Sequence, residues 1–382
     1  MADLSIYVHW PYCPSRCHYC DFNTYAVGRG APRLFEDYLA ALKAELRGRL
    51  GEIPTGPGGA FPRVQTIFFG GGTPSLIPPE SVAQWMDLLR SLLPVAEDAE
   101  VTLEANPGTV STERLEGFGR AGVNRLSLGV QSLQDTELRF LGRLHDAETA
   151  RKAVQCARRA GFENFSLDLI HGLPNQTLPE WGETLDGALE MRPPHLSAYE
   201  LTLEPGTPLA RRLSFTLSEE RLAEMHLWTQ ERLSAAGYEH YETSNYARPG
   251  FRCRHNLVYW RGGDYLGLGA GAHSYLGGLR SRNIRPPEAY QASVRERGHA
   301  VEETERLAPL RAAGEALMMG LRLREGVDLA EVGERTGCAP LEAFAEVFPG
   351  LVEAGYLIRE GSRIRLTDAG RLVSDAVAEQ FL

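Results

Sequence analysis

The feature that most limits the fold is a repeated alternation of short apolar runs and amphipathic stretches through the first two-thirds of the chain. Leu4–Trp10, Val64–Phe69, Val101–Ala105, Arg125–Val130, Phe165–Ile170 and Leu196–Leu203 read as strands. Several are apolar on both faces, as strands buried in parallel sheets are. Leu34–Leu50, Pro79–Leu93, Thr112–Ala121, Ala147–Ala160 and Leu178–Met191 read as the helices between them. Ser218–Ala236 adds another, with Ser218 at its N-cap and Glu220 in its first turn. Six βα units in succession predict a parallel sheet with right-handed crossovers. Periodicity alone does not separate an open sheet from a barrel.

The remainder is less regular. Gly51–Pro62 is dense in Gly and Pro and predicts a surface loop. Tyr238–Leu279 is rich in aromatics and glycine and yields no clear assignment. Pro286–Pro287 marks an expected boundary. Leu307–Leu382 predicts a helical, winged-helix-like module with a hairpin at Leu357–Ile358 and Ile364–Leu366, turned at Glu360-Gly361. The expected domains are therefore 1–237, 238–285 and 286–382.

A chain of 382 residues with formal net charge −10 is an ordinary acidic globular protein by composition. Its bases are nearly all arginine; Lys43 and Lys152 are the lysines. Codon bias of a GC-rich genome accounts for that most simply. A general nucleic-acid binder would more often be basic. The winged-helix-like module carries 9 basic and 12 acidic residues from Arg306 to Leu382. That is a poor footprint for phosphate, and a lid or docking role suits it better. No long apolar run predicts a membrane span, and Met1-Ala2-Asp3-Leu4 lacks the basic, apolar pattern of a signal peptide. A cytoplasmic location is expected.

Of six cysteines, Cys13, Cys17 and Cys20 fall together directly after the first strand, while Cys156, Cys253 and Cys338 are scattered. This is a metal or cluster pattern rather than a disulfide framework. Three thiolates on one loop can ligate three corners of a [4Fe–4S] cluster and leave the fourth iron open. A zinc site completed by His9 or His18 is the other reading of the same residues. Gly70-Gly71-Gly72-Thr73 follows the second strand, where bare backbone groups can bind a zwitterion. It is no phosphate loop, because no Gly-Lys-Ser/Thr follows. Glu104, Gln131 and Asp168 stand at or near the ends of three later strands, the ligand face of parallel βα folds. Arg143 follows Gln131 and can pair with a carboxylate.

The cysteine spacing resembles the radical SAM superfamily, in which the open iron chelates S-adenosylmethionine (SAM). Within it the sequence is similar to the oxygen-independent coproporphyrinogen-III-oxidase-like family. The match is carried by Tyr7-Val8-His9-Trp10-Pro11-Tyr12-Cys13, Gly70–Ser75, Glu104-Ala105-Asn106-Pro107, Gly129-Val130-Gln131-Ser132 and Asp168–Pro174. The resemblance implies an incomplete parallel (β/α)6 barrel. It also implies that Gly71, Gly72, Thr73, Glu104, Gln131, Arg143 and Asp168 contact SAM, with Tyr7 beside the sulfonium end.

His255-Asn256-Leu257-Val258-Tyr259-Trp260 looks like the signature of the HemW branch of that family, whose members are haem chaperones. By residue type alone this segment reads first as a structural aromatic cluster around a hydrogen-bonded histidine. The other reading is a haem site, since imidazole is a common iron ligand and Tyr259 and Trp260 can pack a macrocycle, and the resemblance implies that one, with His255 as the haem ligand. Cys253 reads as a buried thiol rather than a second ligand. Leu266–Ser274 superficially matches a dinucleotide fingerprint, but no clear strand precedes it and no long helix follows. His273 could equally face the pocket or serve the structure.

Two function classes follow. One is a haem chaperone that holds a cluster and SAM and delivers haem to a recipient haemoprotein. The other is a coproporphyrinogen III dehydrogenase that uses a 5′-deoxyadenosyl radical for oxidative decarboxylation; haem ring opening or methylation is a more distant variant. Two departures favour the chaperone. Phe22 stands where the oxidase branch has a fourth cysteine, and the first strand begins by about Leu4, without the oxidase's N-terminal extension. Reduced flavodoxin or ferredoxin is the expected electron donor, and a homodimer the expected assembly.

Overall fold

A computed structural model describes residues 3–27, 32–214 and 216–382. Met1 and Ala2, read above for a leader, lie outside them. The first strand, β1 (Leu4–Trp10), runs into the cysteine loop, whose ends are pinned by the short pair β2 (Tyr12–Cys13) and β3 (Tyr25–Ala26). Then follow β4 (Val64–Gly71), β5 (Val95–Ala105), β6 (Arg125–Gln131), β7 (Phe165–His171) and β8 (His195–Glu200). With β1 they lie side by side in sequence order, all parallel.

Helices α1 (Pro32–Gly48), α2 (Pro79–Leu92), α3 (Thr112–Arg120), the short α4 (Asp135–Leu141), α5 (Ala147–Arg159), α6 (Leu178–Glu190) and α7 (Glu219–Ala235) fill the crossovers. Their apolar sides bury Trp85, Phe118 and Trp181 against strand residues such as Ile67, Leu103 and Leu167. Capping explains several starts. Ser111 and Asp146 accept from the first turns of α3 and α5, and Thr177 with Glu180 closes a capping box on α6. Ser218 sits at the N-cap of α7 without a side-chain capping bond.

Among the described residues the sheet is open. On its far side β1 pairs in parallel with β11 (Tyr265–Leu268), and β8 pairs antiparallel with β10 (Asn245–Ala247), which pairs with β9 (Glu239–Glu242). Beyond β11 come antiparallel β12 (His273–Leu276), β13 (Leu279–Asn283) and β14 (Val301–Arg306). The architecture is the expected incomplete (β/α)6 barrel, extended at both edges.

Three sequence expectations are revised. β5 begins at Val95, where Glu97, Asp98 and Glu100 interrupt the apolar pattern. β8 stops at Glu200, because Leu201 and Leu203 leave the sheet to pack with Ile170, Leu173 and Leu209. The boundary expected at Pro286–Pro287 does not fall between separate cores. α9 (Pro287–Arg297) buries Tyr290 and Val294 in the main core, and β14 extends the main sheet. The C-terminal core gathers from α10 (Pro309–Gly320) onward, around Leu317, Phe344, Phe348, Ile364 and Phe381. It contains β15 (Val327–Asp328), β16 (Leu357–Glu360) and β17 (Arg363–Leu366), the last two being the expected hairpin. The unassigned segment resolves into β9, β10, α8 (Arg254–Trp260), β11 and β12.

Candidate functional site

Cys13, Cys17, Cys20, Tyr7, Gly71, Gly72, Thr73, Glu104, Gln131, Arg143, Asp168 and His255 all line one cavity of about 520 Å³ at the carboxyl ends of the parallel strands. The cysteine loop forms one wall. Its base is closed by the β2–β3 pairing, and His18 anchors it by donating its backbone N–H to Leu141 O (2.9 Å) and bonding Phe140 O through Nδ1 (2.8 Å). His9 has both ring nitrogens engaged, Nδ1 with the Tyr7 hydroxyl (2.9 Å) and Nε2 with Asn23 O (3.0 Å). Neither histidine is placed to complete a zinc site. No set of three described His, Cys, Asp or Glu side chains is gathered tightly enough for a single ion. The three thiols nevertheless share the cavity, as the corners of a larger cluster would require.

Each thiol has a polar neighbour. Thr73 Oγ1 donates to Cys13 Sγ (3.5 Å), Arg143 Nη1 to Cys17 Sγ (3.3 Å), and Cys20 Sγ lies 3.9 Å from Thr24 Oγ1. Burial pushes the Cys13 thiol up to about 11, with the Thr73 bond opposing it, and burial also raises Cys20. Such thiols ionise when a metal cation takes the proton's place. Arg143 also donates to Gly129 O (2.7 Å), while its Nε is buried without a partner among the described residues.

The strand ends supply the opposite wall. Gly71 closes β4 at φ +111°, a conformation that favours glycine, and a Cβ there would strike the His9 ring. Its N–H donates to Glu104 Oε2 (2.9 Å). Glu104 is pushed up to about 8 by burial, with the Gly71 bond opposing and Asp168 adding to the rise. Gln131 ends β6 at φ +69°, a left-handed conformation uncommon for a residue with a side chain and typical of ligand sites. Asp168 is held by three serines: Ser166 and Ser197 donate to Oδ1 (2.9 and 2.8 Å) and Ser127 to Oδ2 (2.7 Å). Sequence reading missed these serines. Their signal was period-2 placement, since Ser166 lies two residues before Asp168 on one face and Ser127 and Ser197 occupy neighbouring registers.

Helix α8 brings the aromatic motif to the same cavity. Glu100 accepts from the backbone N–H groups of Arg254 and His255 (both 3.0 Å), capping the helix. His255 is fully covered. Its Nδ1 bonds Thr66 Oγ1 (2.7 Å), its Nε2 bonds the Tyr259 hydroxyl (2.8 Å), and Phe68 stacks on its ring at 5.0 Å. Burial, reinforced by Arg125, lowers His255 to about 3, so it is neutral. With both nitrogens engaged, it carries no open iron ligand in this arrangement. Tyr259 lines the cavity, whereas Trp260 packs beneath Arg322 (4.9 Å), against the C-terminal module. The expectation that Trp260 covers a macrocycle is corrected accordingly. Cys253 is buried beside Glu100 (Sγ to Oε1, 3.6 Å) and burial raises it to about 12, as an inert thiol should be.

The sequence pattern of the radical SAM superfamily matches residues 7–188, and that of the HemN C-terminal domain matches residues 307–373. The chain is 40% identical over 392 residues to the Heme chaperone HemW of Escherichia coli, covering 100% of this chain and 99% of the relative. It is 38% identical over 387 residues to that of Haemophilus influenzae, covering 100% and 98%. Among solved structures, the coproporphyrinogen III oxidase (HemN) of Escherichia coli, a radical SAM enzyme, superposes with TM-score 0.85 at 26% identity, covering 100% of this chain and 90% of that one. At that similarity along its whole length, the chain belongs to the HemW family of the radical SAM superfamily.

Proposed function

We propose that this protein binds haem and passes it to a recipient haemoprotein, while a [4Fe–4S] cluster on Cys13, Cys17 and Cys20 and a molecule of SAM occupy the first cavity. The observation that carries the reading is end-to-end similarity to relatives named heme chaperones, together with a non-cysteine residue, Phe22, after the third cysteine. The bound cluster would supply an open iron and an electron for SAM.

The chain's own groups suit that ligand. Cys13, Cys17 and Cys20 would hold the iron corners. Glu104 and the backbone of Gly71 to Thr73 would take the amino-acid end of SAM. Asp168, already oriented by serines, would accept from ribose hydroxyls. Gln131 and Arg143 would complete the polar contacts, and Tyr7 would stand beside the sulfonium. His255 could bond iron directly only if Tyr259 first released its Nε2. A reduced flavodoxin or ferredoxin as electron donor, a cytoplasmic setting and a homodimer belong to the same reading. No described helix is long and apolar enough to cross a membrane.

The alternative is the dehydrogenase reaction, favoured by the likeness to the coproporphyrinogen III oxidase structure. Anaerobic incubation of the reconstituted protein with SAM, dithionite and either haem or coproporphyrinogen III separates the two. The chaperone reading expects saturable haem binding and transfer to an apo-haemoprotein, with no turnover of coproporphyrinogen III. Multiple turnovers of that substrate would overturn it. Reconstitution should give about four irons per chain, and Cys17→Ala should lose them.

A further inference from the structure

A second chamber of about 380 Å³ opens beside the first, and Tyr7, Gly71, Glu104, Phe22 and Tyr259 stand in both walls. Its far side is the β12–β13 hairpin and the segment after it. His273 and Arg282 face each other in register there, and Arg285 follows two residues beyond β13. The His273 ring is exposed and, among the described residues, holds no side-chain hydrogen bond, unlike His9 and His255. Arg282 leans to Glu302 and Glu303 (3.3 and 2.6 Å), while Arg285 is exposed and pairs with no described carboxylate. Tyr259 and Tyr265, which meet edge to face at 4.7 Å, and Phe22, 58% exposed, also line it.

This set has a definite chemical complement: a flat apolar ring, a metal that takes imidazole, and peripheral carboxylates. We propose that haem seats in this second chamber with its iron bonded to His273 and a propionate paired with Arg285. The proposal rests on the haem-binding reading above and names the residues that serve it. The bond is dative: the imidazole lone pair displaces a water on iron, and no electron changes hands. Though much of the residue is open to solvent, partial desolvation on its chamber side, with Arg282, Arg285 and Arg280, holds His273 below the ordinary histidine range, so the lone pair is free at neutral pH. His255 has no such lone pair to offer while Thr66 and Tyr259 hold its ring. An exposed ligand also suits cargo that must leave.

The test is a haem titration of the full chain, read by the Soret band, with thermal unfolding as the check on folding. His273→Ala should weaken binding about 10-fold or more and change the spectrum, and free imidazole should restore the wild-type band. His273→Cys should give a distinct thiolate-type spectrum, which a merely structural residue would not produce. Arg285→Ala should weaken binding about 3-fold with the spectrum unchanged, as expected for an exposed ion pair. If His273→Ala and His273→Cys match wild type, or if His255→Ala alone abolishes the band, the assignment is overturned. If the wild-type protein shows no saturable haem binding, it is the functional reading itself that fails.

Discussion

The two chambers share a wall, but the groups proposed to hold their ligands are held to very different degrees. In the first, Asp168 is fixed by three serines, Glu104 by the Gly71 N–H, and both nitrogens of His255 by hydroxyls. In the second, His273 and Arg285 are exposed and uncommitted. Groups already oriented before a ligand arrives lose little freedom on binding it, which favours a resident cofactor held in one geometry. Exposed groups bind more loosely and release more readily. The difference teaches that one strand-end surface offers, side by side, a preorganised polar site and a loosely held one, which is what the proposed pairing of a cofactor with a departing cargo would need.

The looseness of the second chamber is confined to its surface. Behind it, Glu45 and Arg49 on and just after α1 form a pair with both side chains fully covered. Glu45 accepts from Gly269 N (2.8 Å), Asn283 Nδ2 (2.6 Å) and Tyr290 OH (2.7 Å), and Arg49 Nη1 donates to Gly267 O (2.8 Å). The turn that presents His273 therefore stands on a buried charged base. The largest expected effect breaks this base: Glu45→Ala leaves the Gly269 N–H, Asn283 and Tyr290 without their shared acceptor and Arg49 with Glu52 alone (2.7 Å), and should cost about 3–5 kcal/mol, read by denaturant unfolding. A loss below about 1 kcal/mol would mean that the turn holds itself. The next effect tests the first chamber. Asp168→Asn should weaken SAM binding roughly 10-fold, since bonds to a charged group contribute about 1.5–3 kcal/mol. Haem affinity should not change, because the second chamber lacks Asp168. Equal losses of both ligands would show that the two chambers act as one.

How much of this was legible from residues alone depended on pattern strength. The six parallel strands were, because continuous apolar runs between amphipathic helices have few other solutions. Their functional ends followed from topology. β11 was not legible, because Tyr265-Leu266-Gly267-Leu268 carries a glycine at its centre. That glycine is required: a Cβ on Gly267 would run into the His273 carbonyl. The same crowding explains why a stretch that looks like a dinucleotide loop is a strand and a turn. The serines around Asp168 escaped notice because their role lies across strands, in register rather than in sequence. His255 was found by its motif, but only its hydrogen bonds reveal that the ring is occupied.

The smallest expected effect concerns the two neighbouring aromatics of that motif, which one helix sends in opposite directions. Tyr259 stands in the wall between the chambers, while Trp260 lies under the Arg322 guanidinium in a cluster with Tyr241, Leu257 and Leu323. Leu323 belongs to the turn that follows α10, so this cluster ties the motif helix to the C-terminal module. Arg261 and Glu325 add an ion pair at 2.8 Å across the same contact. A cation over an indole contributes about 0.5–2 kcal/mol depending on how far it is desolvated. Arg322→Ala should therefore loosen the module by about that much, seen as faster amide exchange in α10 and a shift in tryptophan fluorescence. The haem spectrum should stay as in wild type, whereas Tyr259→Ala should alter it. A haem spectrum disturbed as strongly by Arg322→Ala as by Tyr259→Ala would place the C-terminal module inside the binding site and erase the distinction between the two sides of α8.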